Sequence, residues 1–278
     1  MGIVNATPDS FSDDGERQTL AARVELAETQ LEDGADLIDI GGESGVTNRA
    51  AVDPREEIAR VVPLIEAVAG GLGALVSVDT YKPAVARAAI AAGAAIVNDV
   101  SALRDPEMAR VCAETGAGLV LMHTRAAPKQ RLHDPSFDGR IVADVKALLS
   151  ERIELARSLG VRSEQLLLDP GPDFSKTPSQ TIEVMRALPE LHELGRPLLL
   201  AISRKDFIGG ITARRPRERL AGTLAALGHG AAAGAHMVRI HDVREAADFL
   251  AVRDVLEGRV DVDPRLQVDD SLRWERQG

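Results

Sequence analysis

Met1-Gly2-Ile3-Val4-Asn5-Ala6-Thr7-Pro8-Asp9-Ser10 opens the chain and decides between two architectures. Gly2 to Val4 is an apolar run of strand length, and a polar turn follows at once. The pattern repeats outward from there. Asp36 to Ile40, Ala74 to Val78, Ala95 to Val97, Gly118 to Met122, Leu166 to Leu168, Pro197 to Ile202 and Met237 to Ile240 are short apolar runs. Longer stretches rich in Ala, Leu, Glu and Arg lie between them, with helical periodicity. Strand-helix alternation of this kind fits a closed parallel barrel or a doubly wound open sheet. An open sheet that binds a dinucleotide carries a glycine-rich turn after its first strand. Asn5 to Ser10 contains no glycine. The expected fold is therefore α/β, a (β/α)8 TIM barrel, and the 278 residues suit it.

Helix starts punctuate the alternation. Asp53-Pro54-Arg55-Glu56 supplies an acidic N-cap, Pro at the first helical position and Glu at the third. Thr177-Pro178-Ser179-Gln180 follows the same logic, and Asp105-Pro106 and Asp242-Val243-Arg244-Glu245 mark two more starts. Gly34, Gly93 and Gly160 fall where helices should end. The expected organisation is one barrel domain over residues 1–257 and a polar, loosely ordered tail over 258–278. Two connections, Asn5 to Arg17 and Thr124 to Gly139, are long enough to act as lids.

Composition narrows the function classes. A net charge of -10 argues against nucleic-acid binding, which needs a basic face. Aromatics at 3% leave few platforms for stacking bases. No apolar run is long enough to span a bilayer, so no membrane partner is expected. A single cysteine, Cys112, sits in an apolar helical stretch and reads as core; a cytoplasmic, reducing location fits. The histidines show no His-x-x-x-His spacing, so no structural zinc site is expected. Mg2+ held mainly by substrate phosphates stays compatible with the sequence.

Barrel chemistry gathers where strands end. The residues at those ends are Asn5; Gly41-Gly42-Glu43-Ser44; Asp79; Asn98-Asp99; Met122-His123; Asp169-Pro170-Gly171; Ser203-Arg204-Lys205; and Arg239-Ile240-His241-Asp242. Each has a structural alternative. Asp242 reads as a helix cap, Glu43 as a tie for its own loop, His123 as a satisfied core histidine and Arg204 as a surface ion pair. Their coincidence at one rim points to a ligand. Asp79, Asn98, Asp169 and Lys205 together suit a flat heterocycle with donors and acceptors along its edge. Arg204, Arg239 and His241 add potential positive charge near strands seven and eight, where barrels often hold phosphate.

This ordered set resembles the dihydropteroate synthase family. The resemblance is carried by Met1 to Asp13, Gly34 to Ser44, Ser77 to Lys82, Val97 to Val100, Leu121 to His123, Leu168 to Gly171, Ser203 to Lys205 and Arg239 to Asp242, and it covers about residues 1 to 257. It implies condensation of 6-hydroxymethyl-7,8-dihydropterin diphosphate with 4-aminobenzoate, releasing diphosphate. It further implies that Asp79, Asn98, Met122, Asp169 and Lys205 hold the pterin. Asn5, Arg239 and His241 would face the diphosphate, with Asn5 near Mg2+. Thr47, Arg49, Phe174, Ser203 and Asp206 would surround the aminobenzoate. Asp79, Lys205, Arg239 and His241 would carry the catalysis, in a homodimer formed through late helices.

Three segments depart from the family pattern. The usual Glu-Ser-Thr-Arg-Pro-Gly after strand two is here Glu43-Ser44-Gly45-Val46-Thr47-Asn48-Arg49-Ala50. Asp206 stands where a serine usually follows Ser-Arg-Lys, and Pro172-Asp173-Phe174 replaces Ile-Gly-Phe. Asp206 would repel an aminobenzoate carboxylate unless it turned away onto Arg204 or another cation. A pterin-binding paralogue that does not couple aminobenzoate, and a pterin-dependent methyltransferase, are the alternative readings.

Overall fold

The structure is a computed structural model that describes residues 1–7, 19–44, 50–130, 132 and 134–274. The strands are β1 (Gly2–Asn5), β2 (Leu37–Gly41), β3 (Leu75–Asp79), β4 (Ile96–Asp99), β5 (Gly118–Met122), β6 (Leu166–Asp169), β7 (Leu199–Ala201) and β8 (Met237–Arg239). Each expected run overlaps one of them, and β1, β2, β3, β4 and β6 continue one or two residues further. The helices are α1 (Leu20–Glu32), α2 (Pro54–Ile65), α3 (Pro83–Ala91), α4 (Glu107–Thr115), α5 (Ile141–Ser158), α6 (Pro178–Arg186), α7 (Leu188–Leu191), α8 (Asp206–Thr212), α9 (Leu220–Ala232) and α10 (Val243–Leu256).

β1 to β6 pair in parallel in sequence order, and β7 pairs with β8. Two bridges, Leu168 with Leu198 and Gly2 with Ile240, join these pieces into a closed barrel. Ile240 N–H donates to the Met1 carbonyl at 3.0 Å, and the Met1 ammonium donates to the Val238 carbonyl at 2.9 Å.

Alternation along the strands divides the core. Ile38, Ile40, Val76, Val78, Leu119, Leu121, Leu168 and Leu200 face outward and pack in the larger apolar cluster, with residues from the helices. Met1, Leu37, Val120, Leu199 and Ala201 form a smaller cluster inside the barrel. Cys112 lies in the outer core, fully buried, and burial pushes its thiol up to about 12, so it is inert packing.

The capping signals at Asp53 and Thr177 act as written. The Asp53 carboxylate accepts from Arg55 N–H at 2.8 Å. Thr177 and Gln180 close a reciprocal capping box at the head of α6. Asp242 occupies the N-cap position of α10 but makes no side-chain cap, because its carboxylate is taken by Arg204. Beyond Leu256 every described residue to Trp274 is exposed.

Candidate active site

The inward positions at the C-terminal half of the strands are polar. Asp39, in the middle of β2, is completely buried. Its Oδ2 accepts from Arg239 Nε at 2.5 Å and from Asn98 Nδ2 at 3.3 Å. Arg239 Nη2 also donates to Asp79 Oδ2 at 3.1 Å. Those two contacts use two of the five guanidinium N–H groups. Burial and the neighbouring Asp39 charge raise the Asp79 pKa, against the pull of Arg239 and Lys205.

Asn98, 2% exposed, has a carbonyl oxygen with no hydrogen-bond partner, and so do Asp39 Oδ1 and Ser77 Oγ. Orphaned buried acceptors are rare, because each costs free energy until a donor arrives. Asp169, also 2% exposed, accepts from Gly171 N–H at 2.7 Å, and burial raises its pKa to about 6. Gly171 has φ +65°, and a Cβ there would stand 2.1 Å from the His123 carbonyl oxygen, so only glycine fits. Met122 is buried between these groups at the end of β5.

Lys205 and His241 follow β7 and β8 at the same mouth. Lys205 Nζ lies 4.3 Å from the centre of the Phe174 ring, and burial pulls its pKa down. His241 is held by Ser203, whose Oγ is 3.1 Å from His241 N and 2.8 Å from Nδ1. A hydroxyl that accepts from the backbone N–H can donate its own proton to Nδ1, the arrangement that puts the ring proton on Nε2. Burial and the Arg239 and Arg204 charges lower the His241 pKa to about 3, keeping the ring neutral.

Behind the mouth, Lys176 is buried and its Nζ reaches His123 Nδ1 at 2.7 Å, the Gly171 carbonyl at 2.9 Å and the Phe174 carbonyl at 3.2 Å. His123 Nε2 meets Asp144 on α5 at 3.0 Å, and Arg125 pairs with the same carboxylate. His123 is thus a satisfied core histidine. Glu43 does tie its loop, accepting from Val52 N–H at 2.8 Å, Tyr81 at 3.0 Å and Lys82 at 2.5 Å.

Asn98, Asp169, Asp79, Lys205, Arg239, Met122, Ser203, His241, Phe174 and Asn5 all end or follow strands at this one rim. Thr47 and Arg49 lie outside the described residues, as does most of the loop after β1. Arg204 is paired with Asp242, the structural alternative weighed from sequence. Asp206 is exposed and its carboxylate meets Arg219 Nη1 at 2.9 Å, so it does turn onto another cation. Sequence reasoning missed Asp39, Lys176 and Arg219. The signal for Asp39 was an acid inside an apolar strand, Leu37-Ile38-Asp39-Ile40.

A closed parallel barrel with carboxylate and amide acceptors and cations gathered at one mouth defines a ligand-binding (β/α)8 enzyme. The pterin binding enzyme family model matches residues 1–241, and the chain belongs to that family. Among its relatives, the dihydropteroate synthase of Synechocystis sp. is 43% identical over 92% of this chain and 89% of that protein. Two solved structures are similar as well. One is the Xanthomonas albilineans dihydropteroate synthase with 4-aminobenzoic acid, with a TM-score of 0.85 and 42% identity over 92% of each chain. The other is the Yersinia pestis dihydropteroate synthase in complex with a sulfonamide drug, with a TM-score of 0.87 and 37% identity over 93% of each chain.

Proposed function

We propose that the chain is a dihydropteroate synthase, joining 6-hydroxymethyl-7,8-dihydropterin diphosphate to 4-aminobenzoate in folate biosynthesis. The observation that carries this reading is the set of acceptors at the half-buried Asp79, the buried Asp169 and the orphaned Asn98 oxygen, beside the Lys205 ammonium. A 2-amino-4-oxo heterocycle brings amino and ring N–H donors to the acceptors and a carbonyl to the lysine. A ring lacking them would leave those groups unpaired, which discriminates strongly.

In this reading Asp79, Asn98, Asp169 and Lys205 hold the pterin edge, and Met122 packs against the ring. Cleavage of the methylene C–O bond gives the electron pair to diphosphate and leaves a cation delocalised over the pterin. The Asp79 carboxylate favours that developing positive charge. The departing anion is received by the Arg239 N–H groups not bound to Asp39 or Asp79, and by the neutral His241 Nε2–H. The aniline nitrogen attacks the methylene carbon and then loses a proton, which needs little base once the nitrogen is positive. Phe174 and Ser203 border the side on which 4-aminobenzoate would sit. Arg219 draws the Asp206 carboxylate away from it. Thr47 and Arg49 remain candidates for the same substrate.

Mg2+ fits the residues present. Asn5 Oδ1 and Asp79 Oδ2 lie 3.6 and 3.8 Å from the point where a Cβ on Gly41 would stand, so a glycine keeps this oxygen-lined corner open. Among the described residues no group of three His, Cys, Asp or Glu could hold a metal, so the ion would rely on Asn5 and substrate phosphates. When bound, it neutralises diphosphate charge. No described helix is long and apolar enough to cross a membrane. A cytoplasmic homodimer is the assembly proposed, and exposed Val252 and Leu256 on α10 supply apolar surface for it.

The test is direct. The purified chain is mixed with the pterin diphosphate, Mg2+ and 4-aminobenzoate, and dihydropteroate is measured. Enzymatic turnover lost in Asp79→Ala and Lys205→Ala supports the reading. Tight pterin diphosphate binding without product replaces it with a non-coupling pterin-binding protein.

A further inference from the structure

Asp173 ties two loops of the mouth together. It follows β6 with φ +65°, a left-handed conformation that aspartate tolerates better than most residues. Its Oδ1 accepts from Thr181 Oγ1 at 3.0 Å, and its own N–H donates to that hydroxyl at 3.0 Å, so α6 fixes the carboxylate. Its Oδ2 accepts from Asp206 N–H at 2.5 Å and Phe207 N–H at 3.3 Å, the first two amides of α8. Lys205, at the N-cap position of α8, makes no side-chain cap of its own. Asp173 therefore supplies the cap from a different loop.

The consequence falls on a pair of residues. Phe174 is the next residue after Asp173, and Lys205 is the residue before the amides it binds. One carboxylate thus anchors both partners of the Lys205–Phe174 contact, one through the chain and one through the helix. The Asp173 charge is also the largest of the carboxylate influences that offset burial at Lys205. The usual Ile-Gly-Phe of the family would satisfy the backbone geometry without offering this acceptor, so the clamp accompanies the departure in this chain.

We propose that Asp173 is a positioning residue that locks the strand-six loop to the start of α8 and sets Lys205 against Phe174 where the two substrates meet. The inference rests on the dihydropteroate synthase reading for its catalytic consequence, but the clamp itself does not.

Asp173→Gly is the informative variant, because glycine keeps the positive φ without strain while the carboxylate is lost. In this variant kcat/KM falls about tenfold or more, as displaced groups lose their alignment. Asp173→Asn keeps an oxygen for the α8 amides and recovers activity to within about threefold of the original. A merely structural role would lower the melting temperature and leave the kinetic constants of the folded enzyme unchanged, and that result overturns the proposal. Amide hydrogen exchange at Asp206 and Phe207 is read in the same proteins. It quickens in Asp173→Gly and slows again in Asp173→Asn if the clamp exists. Unchanged exchange overturns the clamp whatever the activity. An original enzyme that makes no dihydropteroate defeats the functional reading alone, and exchange still decides the clamp.

Discussion

Arg239 Nε lies 2.5 Å from Asp39 Oδ2, so β8 is tied to β2 past the intervening β1. The carboxylate is wholly buried and fixes one edge of the guanidinium, which leaves its other N–H groups aimed by geometry rather than by chance. Removing Asp39 leaves the guanidinium with Asp79 as its remaining carboxylate partner. Asp39→Ala is expected to cost about 3 kcal/mol or more of stability. Urea unfolding of the two proteins measures it, and a loss near zero would show that the pair is already screened.

In the proposed reading Asp79 and Lys205 both hold the pterin. Asp79→Asn keeps the shape and removes the charge that favours the pterin cation, so kcat is expected to drop about 100-fold or more. Pterin binding, followed by calorimetry, should weaken far less. A variant that loses binding and retains kcat would assign Asp79 to recognition alone.

Ser203 orients His241 by holding Nδ1 at 2.8 Å. In Ser203→Ala the imidazole is free to choose its tautomer. Diphosphate release or pterin diphosphate affinity should then change several-fold, about 1 kcal/mol for one hydrogen bond. Imidazole nitrogen shifts in an NMR spectrum would report the tautomer, and an unaltered Nε2–H form would remove Ser203 from the account.

His123 gives the fold a pH dependence. Its ring is fully buried, and burial with the Lys176 ammonium lowers its pKa from 6.5 to about 4. The unfolded chain therefore takes up a proton near pH 6.5 that the folded chain refuses until near pH 4. Stability from this site is full above pH 6.5 and declines as the pH falls toward 4, by on the order of 3 kcal/mol. Denaturation midpoints at pH 7.5 and 5 should differ more in the original protein than in His123→Gln. Equal pH slopes would contradict the assignment.

Asp206 would repel a carboxylate substrate if it faced the site; in the structure its carboxylate meets Arg219 instead. Its pair with Arg219 is exposed on the acid's side, so Asp206→Ser should move stability by no more than about 1 kcal/mol. The KM for 4-aminobenzoate should stay within about threefold, since a screened, outward charge acts weakly on the site. A large fall in KM would mean that the carboxylate swings inward during turnover.

The strands and their order were legible because apolar runs and helix caps are local signals. β7 came out shorter than Pro197 to Ile202, since Leu198 reaches only one bridge at the junction with β6. The rim residues were legible because they follow strands. What could not be read was pairing at long range. Nothing near Asp242 announces that Arg204 will take its carboxylate and leave α10 without a side-chain cap. Nothing near Asp173 announces the amides of Asp206 and Phe207. Such partners are chosen by the fold as a whole, after the local rules have been met.

The barrel is closed by single bridges on either side of β7 and β8, whereas β1 to β6 share continuous ladders. Those two staves carry Lys205, Arg239 and His241 at their ends. Prising them outward by a fraction of an ångström breaks few main-chain bonds, while spreading any other neighbouring strands breaks a whole row. In the proposed reading the compliant side of this stiff vessel thus carries Arg239 and His241 toward the leaving anion and Lys205 toward the heterocycle, while Asp79, Asn98 and Asp169 grip the heterocycle from the rigid side.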